Sequence, residues 1–468
     1  MGKAIVSTPY WHARELLADG RGVLVPFADS GALGEEIARL LGDDARRTPM
    51  ARRAWEDGRS MTWERAAEHY LDLFDEAAAT HPKPRGSRTG TVARLTAVVS
   101  PSFDMKPPPE PRFAHLLAMC DGTGLIQHAV HSVPDRSHGY CIDDNARALL
   151  LTVALNTPGE TCVLPDPLAA CFAAFVEHAW NPANGRFRNF MSYDRKWLED
   201  RGSEDSHGRA LWALGECARG DVSRSRRLWA STLFAEALLA VDGFTSPRAW
   251  AFTLLGLDAY LDAAPRDFYA RYARARLADR LLAVLAKTET PDWTWFEEGL
   301  AYDNARLAQA LIVSGVAMDR PDATDAGLRT LRWLMRVQTA PTGVFRPVGT
   351  AGFGALRRLP EPFDQQPLEA TASISACLAA AHAEPATGWQ IGAIRAFAWF
   401  LGKNDLGVPL ADIETGGCRD GLHPDRANEN MGAESVVSYL LSLVELRSLA
   451  RASGSWRPRQ PMRALGVR

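Results

Sequence analysis

Three features of this 468-residue sequence predict an (α/α)6 toroid of six inner and six outer helices, preceded by a small α/β fragment. From about residue 112 to 449, apolar helical runs alternate strictly with amphipathic ones. One motif recurs at the start of the apolar runs: IDDNAR at 142–147, EDSHGRAL at 204–211 and YDNAR at 302–306. The loops that lead into the apolar runs are long, whereas most of those that leave them are short. An internal period signals a repeat architecture, and the unequal loops argue for a closed ring, with an open helical-repeat scaffold as the alternative.

Taken in order, KAIVS (3–7) and GVLVP (22–26) read as short buried strands, with Gly20 and Gly22 marking the turn before the second. Helices are expected at about 31–42, 44–57 and 62–79. The stretches GKAIVSTPYWHARELLADGRGVLVPFADSGALGEEIARLL and RRTPMARRAWEDGRSMTWERAAEHYLDLF resemble the C-terminal end of a GT-B glycosyltransferase of the retaining family 4 type. In that family a Glu-rich donor-binding loop lies just upstream of the strand seen here as KAIVST. The resemblance therefore implies a C-terminal remnant over 1–81, without donor loop or acceptor half, and a possible partner in an upstream GT-B half. Residues 82–111, with Pro107, Pro108, Pro109 and Pro111, read as a semi-rigid linker. The toroid is expected over 112–449 and a tail over 450–468.

The inner runs are 143–155, 205–218, 248–262, 302–315, 367–381 and 429–446, nearly apolar all round, as helices buried on both sides should be. The outer runs are 112–119, 165–180, 226–241, 267–288, 322–338 and 389–402. In a six-fold ring the first and fourth inner helices face each other, so DDNAR and YDNAR would look into one central pocket.

A net charge of −3 gives no electrostatic case for nucleic acid or an anionic membrane surface. No apolar run approaches the roughly 20 residues of a membrane span, and the N-terminus has neither signal- nor transit-peptide character. Seven scattered cysteines without CxxC spacing form no disulfide framework, and the chain reads as cytoplasmic. Neither His138 nor His207 belongs to an HxxxH or HxH pair, and neither metal nor cofactor is expected.

The loops are rich in groups that bind hydroxyls: amides, carboxylates, guanidinium groups and aromatic rings. His138, Tyr140, Asn145 and Arg147 flank the first motif, Asn189 and Tyr193 lie in NFMSYDRKW, and His207 and Arg209 in the second motif. Trp293, Trp295, Asn304 and Arg306 lie in DWTWFEEGLAYDNAR; Glu369 opens the fifth run, Arg419 and Asp420 precede the sixth, and Asn430 and Glu434 lie at its start. HGYCIDDNAR, SYDRKW, EDSHGRALWALG and NENMGAES resemble the domain found behind family 4 glycosyltransferases in some bacterial proteins. The architecture is similar to the six-hairpin glycosidase group, whose members hydrolyse, phosphorolyse or rearrange glycosides at the inner-helix N-termini. The resemblance implies an oligosaccharide or glycoside as substrate.

Glycoside cleavage needs a carboxylic acid to protonate the leaving oxygen and a carboxylate as base or nucleophile. A helix N-terminus favours negative charge, which would keep Asp143, Asp144 and Asp303 ionised. A glutamate beside Trp293, Trp295 and Phe296 would be desolvated and raised toward an acid's role. The expected pair is therefore Glu298 or Glu297 as acid and Asp144 as base, with Asp205, Glu369 and Glu434 in reserve. An aspartate at a helix start also serves as a plain N-cap. A non-catalytic glycan-binding module and a truncated transferase by descent are the alternative readings.

Overall fold

The computed structural model describes residues 2–59, 108–156, 160, 162–350, 353, 356–359 and 361–452. The helix expected at 62–79, nearly all of the linker and most of the tail lie outside these residues. The chain divides into two compact units, Met1–Pro101 and Ser102–Arg468.

In the first unit, β1 (Val6–Ser7) and β2 (Val23–Leu24) pair in parallel, connected through α1 (Trp11–Leu16). Two helices follow, α2 (Ser30–Gly42) and α3 (Asp44–Gly58). Each is capped by an aspartate: Asp29 accepts from the Ala32 N–H at 2.9 Å and Asp43 from the Arg46 N–H at 3.0 Å. The helix α1 between the strands was not expected from the sequence.

The second unit is the (α/α)6 toroid. Among the described residues its inner helices are α5 (Ile142–Ala154), α7 (Glu204–Gly220), α9 (Pro247–Ala263), α11 (Asn304–Ala317), α13 (Pro367–Ala383) and α15 (Ala433–Ala452). Each packs on the next, and α15 closes the ring on α5. The outer helices are α4 (Ala114–Ala118), α6 (Asp166–Ala179), α8 (Arg224–Leu238), α10 (Phe268–Thr288), α12 (Pro321–Val337) and α14 (Trp389–Phe400). The core is continuous through the ring, with Leu149, Leu151, Leu214, Leu254, Leu307 and Ile374 fully buried. Each such aliphatic side chain contributes about 1.5–3 kcal/mol of transfer free energy.

Glycines sit at one of the contacts between inner helices. At the contact of α7 with α9, a Cβ on Gly256 would stand 2.7 Å from the Leu211 carbonyl, and one on Gly215 would strike the Gly256 backbone. These glycines let two backbones approach directly. Among the described residues no helix is long and apolar enough to cross a membrane.

The first inner helix starts one residue earlier than the sequence suggested. A two-residue antiparallel pairing of β3 (Tyr140–Cys141) with β4 (Phe190–Met191) holds the chain extended up to Cys141, which takes the cap position. Asp143 and Asp144 therefore occupy the first helical turn and leave the cap to a residue with no capping bond. Their carboxylates pair with Arg209 and Arg147 respectively.

Candidate active site

The N-termini of the inner helices meet in a ring of buried charge. Arg209 on α7 donates to Asp143 on α5 and, at 2.9 Å, to Asp303 just ahead of α11. The first and fourth inner helices thus face one centre, as the repeated motif implied. Burial works against the Arg209 charge, but the two aspartates hold it well above its ordinary pKa. Asp303 adopts a left-handed backbone conformation (φ 53°) and makes no capping bond; its side chain turns to Arg209 instead. Asp205 accepts from the Ser246 and Tyr302 hydroxyls, tying α7 to the mouths of α9 and α11. Arg248 on α9 holds Glu297 at 2.8 Å, and Asn304 donates to Glu369 at 2.9 Å.

Beside this ring opens a pocket of about 320 Å³, lined among others by His128, Asp143, Asp144, Arg147, Asp420 and Glu434. Arg147 joins its two central acids, with Nη1 3.0 Å from Asp144 and Nη2 2.9 Å from Glu434. Asp144 is 3% exposed, whereas the Glu434 side chain is 41% exposed and wet. Burial pushes the Asp144 carboxyl up to about 7; the charges of Glu434 and Asp143 add to this, and Arg147 opposes it. The expectation that the helix N-terminus keeps Asp144 ionised is therefore corrected, because desolvation outweighs the dipole. Partial burial and the neighbouring His138, edge-on at 4.5 Å, lower the His128 pKa. Burial likewise raises Asp420, which accepts from the Gly432 N–H at 2.7 Å.

Several candidates have other roles. Glu298 is 49% exposed, pairs with Arg357 at 2.6 Å and has its pKa lowered by that bond, opposite to the shift expected of an acid. Trp293 and Trp295 do not desolvate it: both are buried in the core against Trp333 and offer no open face to a sugar. Tyr140 is buried and donates to Asp121 at 2.6 Å. Asn145 braces the preceding loop, accepting from the Leu125 N–H and donating to the Cys141 carbonyl, both at 2.9 Å. His207 is fully buried on the Ala237 carbonyl, and burial lowers its pKa to about 3. Asn189 is buried, with its carbonyl accepting from Ile142. Tyr193 stacks on Tyr140, and Asn430 accepts from the His131 N–H at 2.9 Å. Arg419 is half-buried. Arg306 is buried beside Asp303, and burial lifts Glu369 to about 8.

The pocket residues His128 and Gln366 and the ring residue Arg248 were not singled out from the sequence. His128 stands in a loop with no motif around it, and Gln366 is the residue ahead of the Pro367 start of α13. Arg248 follows a Ser-Pro helix start, and its place in the first turn of an inner helix was the available signal.

No family model matches the chain. Over 60 residues it is 40% identical to the D-inositol 3-phosphate glycosyltransferase of Salinispora tropica, a match that spans 13% of this chain and 12% of that enzyme. Solved structures match the fold over much more of the chain. The cellobiose 2-epimerase of Bacillus thermoamylovorans superposes with a TM-score of 0.55 at 9% identity, covering 72% of this chain and 96% of that one. A D-mannose isomerase gives 0.56 at 10% identity, covering 72% and 95%. The GH76 α-mannanase of Bacteroides thetaiotaomicron gives 0.50 at 13%, covering 73% and 95%. The shared feature is the (α/α)6 toroid.

Proposed function

We propose that the toroid is a carbohydrate-processing enzyme that cleaves or rearranges a glycoside in the pocket of Asp144 and Glu434. The observation that carries this is the inequality of two acids on one guanidinium. Asp144 is buried and half-protonated near neutral pH, whereas Glu434 stands in water. Environments that differ in this way assign an acid and a base to neighbouring carboxyl groups. The fold neighbours that act on cellobiose, mannose and mannan support sugar as the substrate class.

In cleavage, the Asp144 proton passes to the glycosidic oxygen as the bond from that oxygen to the anomeric carbon breaks. Water adds to the anomeric carbon, and Glu434 accepts the proton it releases. Arg147 keeps both groups oriented and limits the charge that accumulates between them. The buried ring of Arg209, Asp143 and Asp303 fixes the wall on which Asp144 sits.

Rearrangement is the second reading, and His128 favours it. An imidazole with a lowered pKa is neutral at pH 7 and can take a proton from carbon beside a sugar carbonyl, with Asp144 returning one. The likeness of the N-terminal unit to a glycosyltransferase supports shared ancestry, and no transfer step is derived from it.

The test is to follow cellobiose, mannobiose and mannose by proton NMR in the presence of the full chain. Monosaccharide release from the disaccharides supports cleavage, and an epimer or ketose at constant chain length supports rearrangement. Glu434→Gln should abolish cleavage, and His128→Asn should abolish rearrangement. The absence of any conversion across the three sugars would leave the glycan-binding reading in its place.

A further inference from the structure

A second cavity, of about 430 Å³, lies along the barrel interior and is lined by residues from the later turns of α5, α7 and α15. Arg306 and Thr371, near the starts of α11 and α13, also line it. Two arginines and two glutamates stand in its wall: Arg306, Arg219, Glu216 and Glu445. Leu150, Val153, Leu441 and Val444 supply apolar surface between them.

Arg306 is the informative member. It is 3% exposed, yet the one hydrogen bond its guanidinium makes among the described residues is from Nη1 to Gln309, at 2.7 Å. Its Nε has no hydrogen-bond acceptor and lies 3.6 Å from Asp303. Its Nη2 donates no hydrogen bond among the described residues, and since Arg306 lines the cavity an acceptor oxygen of a guest would fit there. Among the described residues Glu445 accepts from Ser375 alone, at 2.8 and 2.9 Å, and Glu216 pairs with Arg219.

Arg306 stands against Asp303 and Arg219 against Glu216, and burial raises the Glu445 carboxyl to about 7, so the wall leaves no unmatched charge for a charged guest to pair with in a low-dielectric space. A neutral polyhydroxylated molecule meets both needs, accepting from Arg306 and donating to Glu445 and Glu216. The volume falls in the range of small-molecule sites, roughly 300–1,000 Å³. We infer that this axial cavity is a second binding site, separate from the Asp144 pocket, for a neutral polyol of monosaccharide to disaccharide size.

The test is methyl-labelled NMR of the full chain, titrated with D-glucose and myo-inositol, with glucose 6-phosphate and glucosamine as charged controls. Saturable shifts of the Val153, Leu441 and Val444 methyls by the neutral polyols are expected, with the charged analogues about tenfold weaker. Leu441→Trp, which fills the cavity, should weaken the polyols about tenfold, and Gly432→Trp, beside the Asp144 pocket, should leave these shifts in place. Ser448→Trp repeats the block should Leu441→Trp fail to fold. Unmoved methyls, equal binding of the charged analogues, or shifts lost in Gly432→Trp would each overturn the inference.

Discussion

Arg147 Nη2 lies 2.9 Å from Glu434 Oε2, across the seam where the last inner helix closes on the first. One guanidinium thus helps close the ring and couples the two acids of the pocket. Removing it leaves Asp144 buried without its cation. Arg147→Gln should lose about 3–5 kcal/mol where Asp144 is ionised, and less below pH 6, where Asp144 is neutral. Urea unfolding at pH 5.5 and 8 measures the difference.

Glu369 gives the fold a pH dependence of definite sign. Its folded pKa, about 8, lies above its ordinary 4.5, so the folded state holds a proton that the unfolded chain releases. Stability from this group is present at low pH and lost as pH rises toward 8. Asp144, raised from 3.8 to about 7, acts in the same direction. Glu369→Gln keeps an acceptor for Asn304 and removes the titration. It should flatten the loss between pH 5 and 8 by on the order of 3 kcal/mol, as read from thermal or urea unfolding across that range.

Gly215 is fixed by the contact of α7 with α9. Alanine there would drive a methyl into the Gly256 backbone, and relief requires the helices to separate. Gly215→Ala should cost about 1–3 kcal/mol in urea unfolding, despite alanine's better helix propensity.

Glu298 was the leading acid by sequence and is an exposed partner of Arg357 in the structure. Glu298→Gln should leave sugar turnover within about twofold of wild type, since exposed pairs contribute about 0–1 kcal/mol. A kinetic comparison of the two proteins checks this.

The ring was legible because its physics is periodic: helices buried on both sides must be apolar all round, and IDDNAR and YDNAR repeat at opposite walls. The site was legible only in part. The sequence marks Asp144, Arg147 and Glu434 as polar residues at helix mouths, but cannot show which acid the fold desolvates. Tryptophans near Glu298 suggested burial there; instead the indoles of Trp293 and Trp295 turn into the core and the carboxylate turns out to Arg357. His207 and Asn145 lie inside the repeated motifs, yet their partners are backbone carbonyls and amides of their own walls, which no motif encodes. His128 reaches the pocket from a loop by tertiary placement alone.

The central claim is that Asp144 is the proton donor for a sugar substrate. It is tested most directly by the turnover of Asp144→Asn, measured beside wild type on whichever of cellobiose, mannobiose or mannose the wild-type chain converts. The amide keeps the shape and a contact to Arg147 but removes the proton. A fall of about 10²–10⁴ in rate, with thermal unfolding no less cooperative than wild type, is the expected result. A folded Asp144→Asn that turns over sugar at the wild-type rate would contradict it.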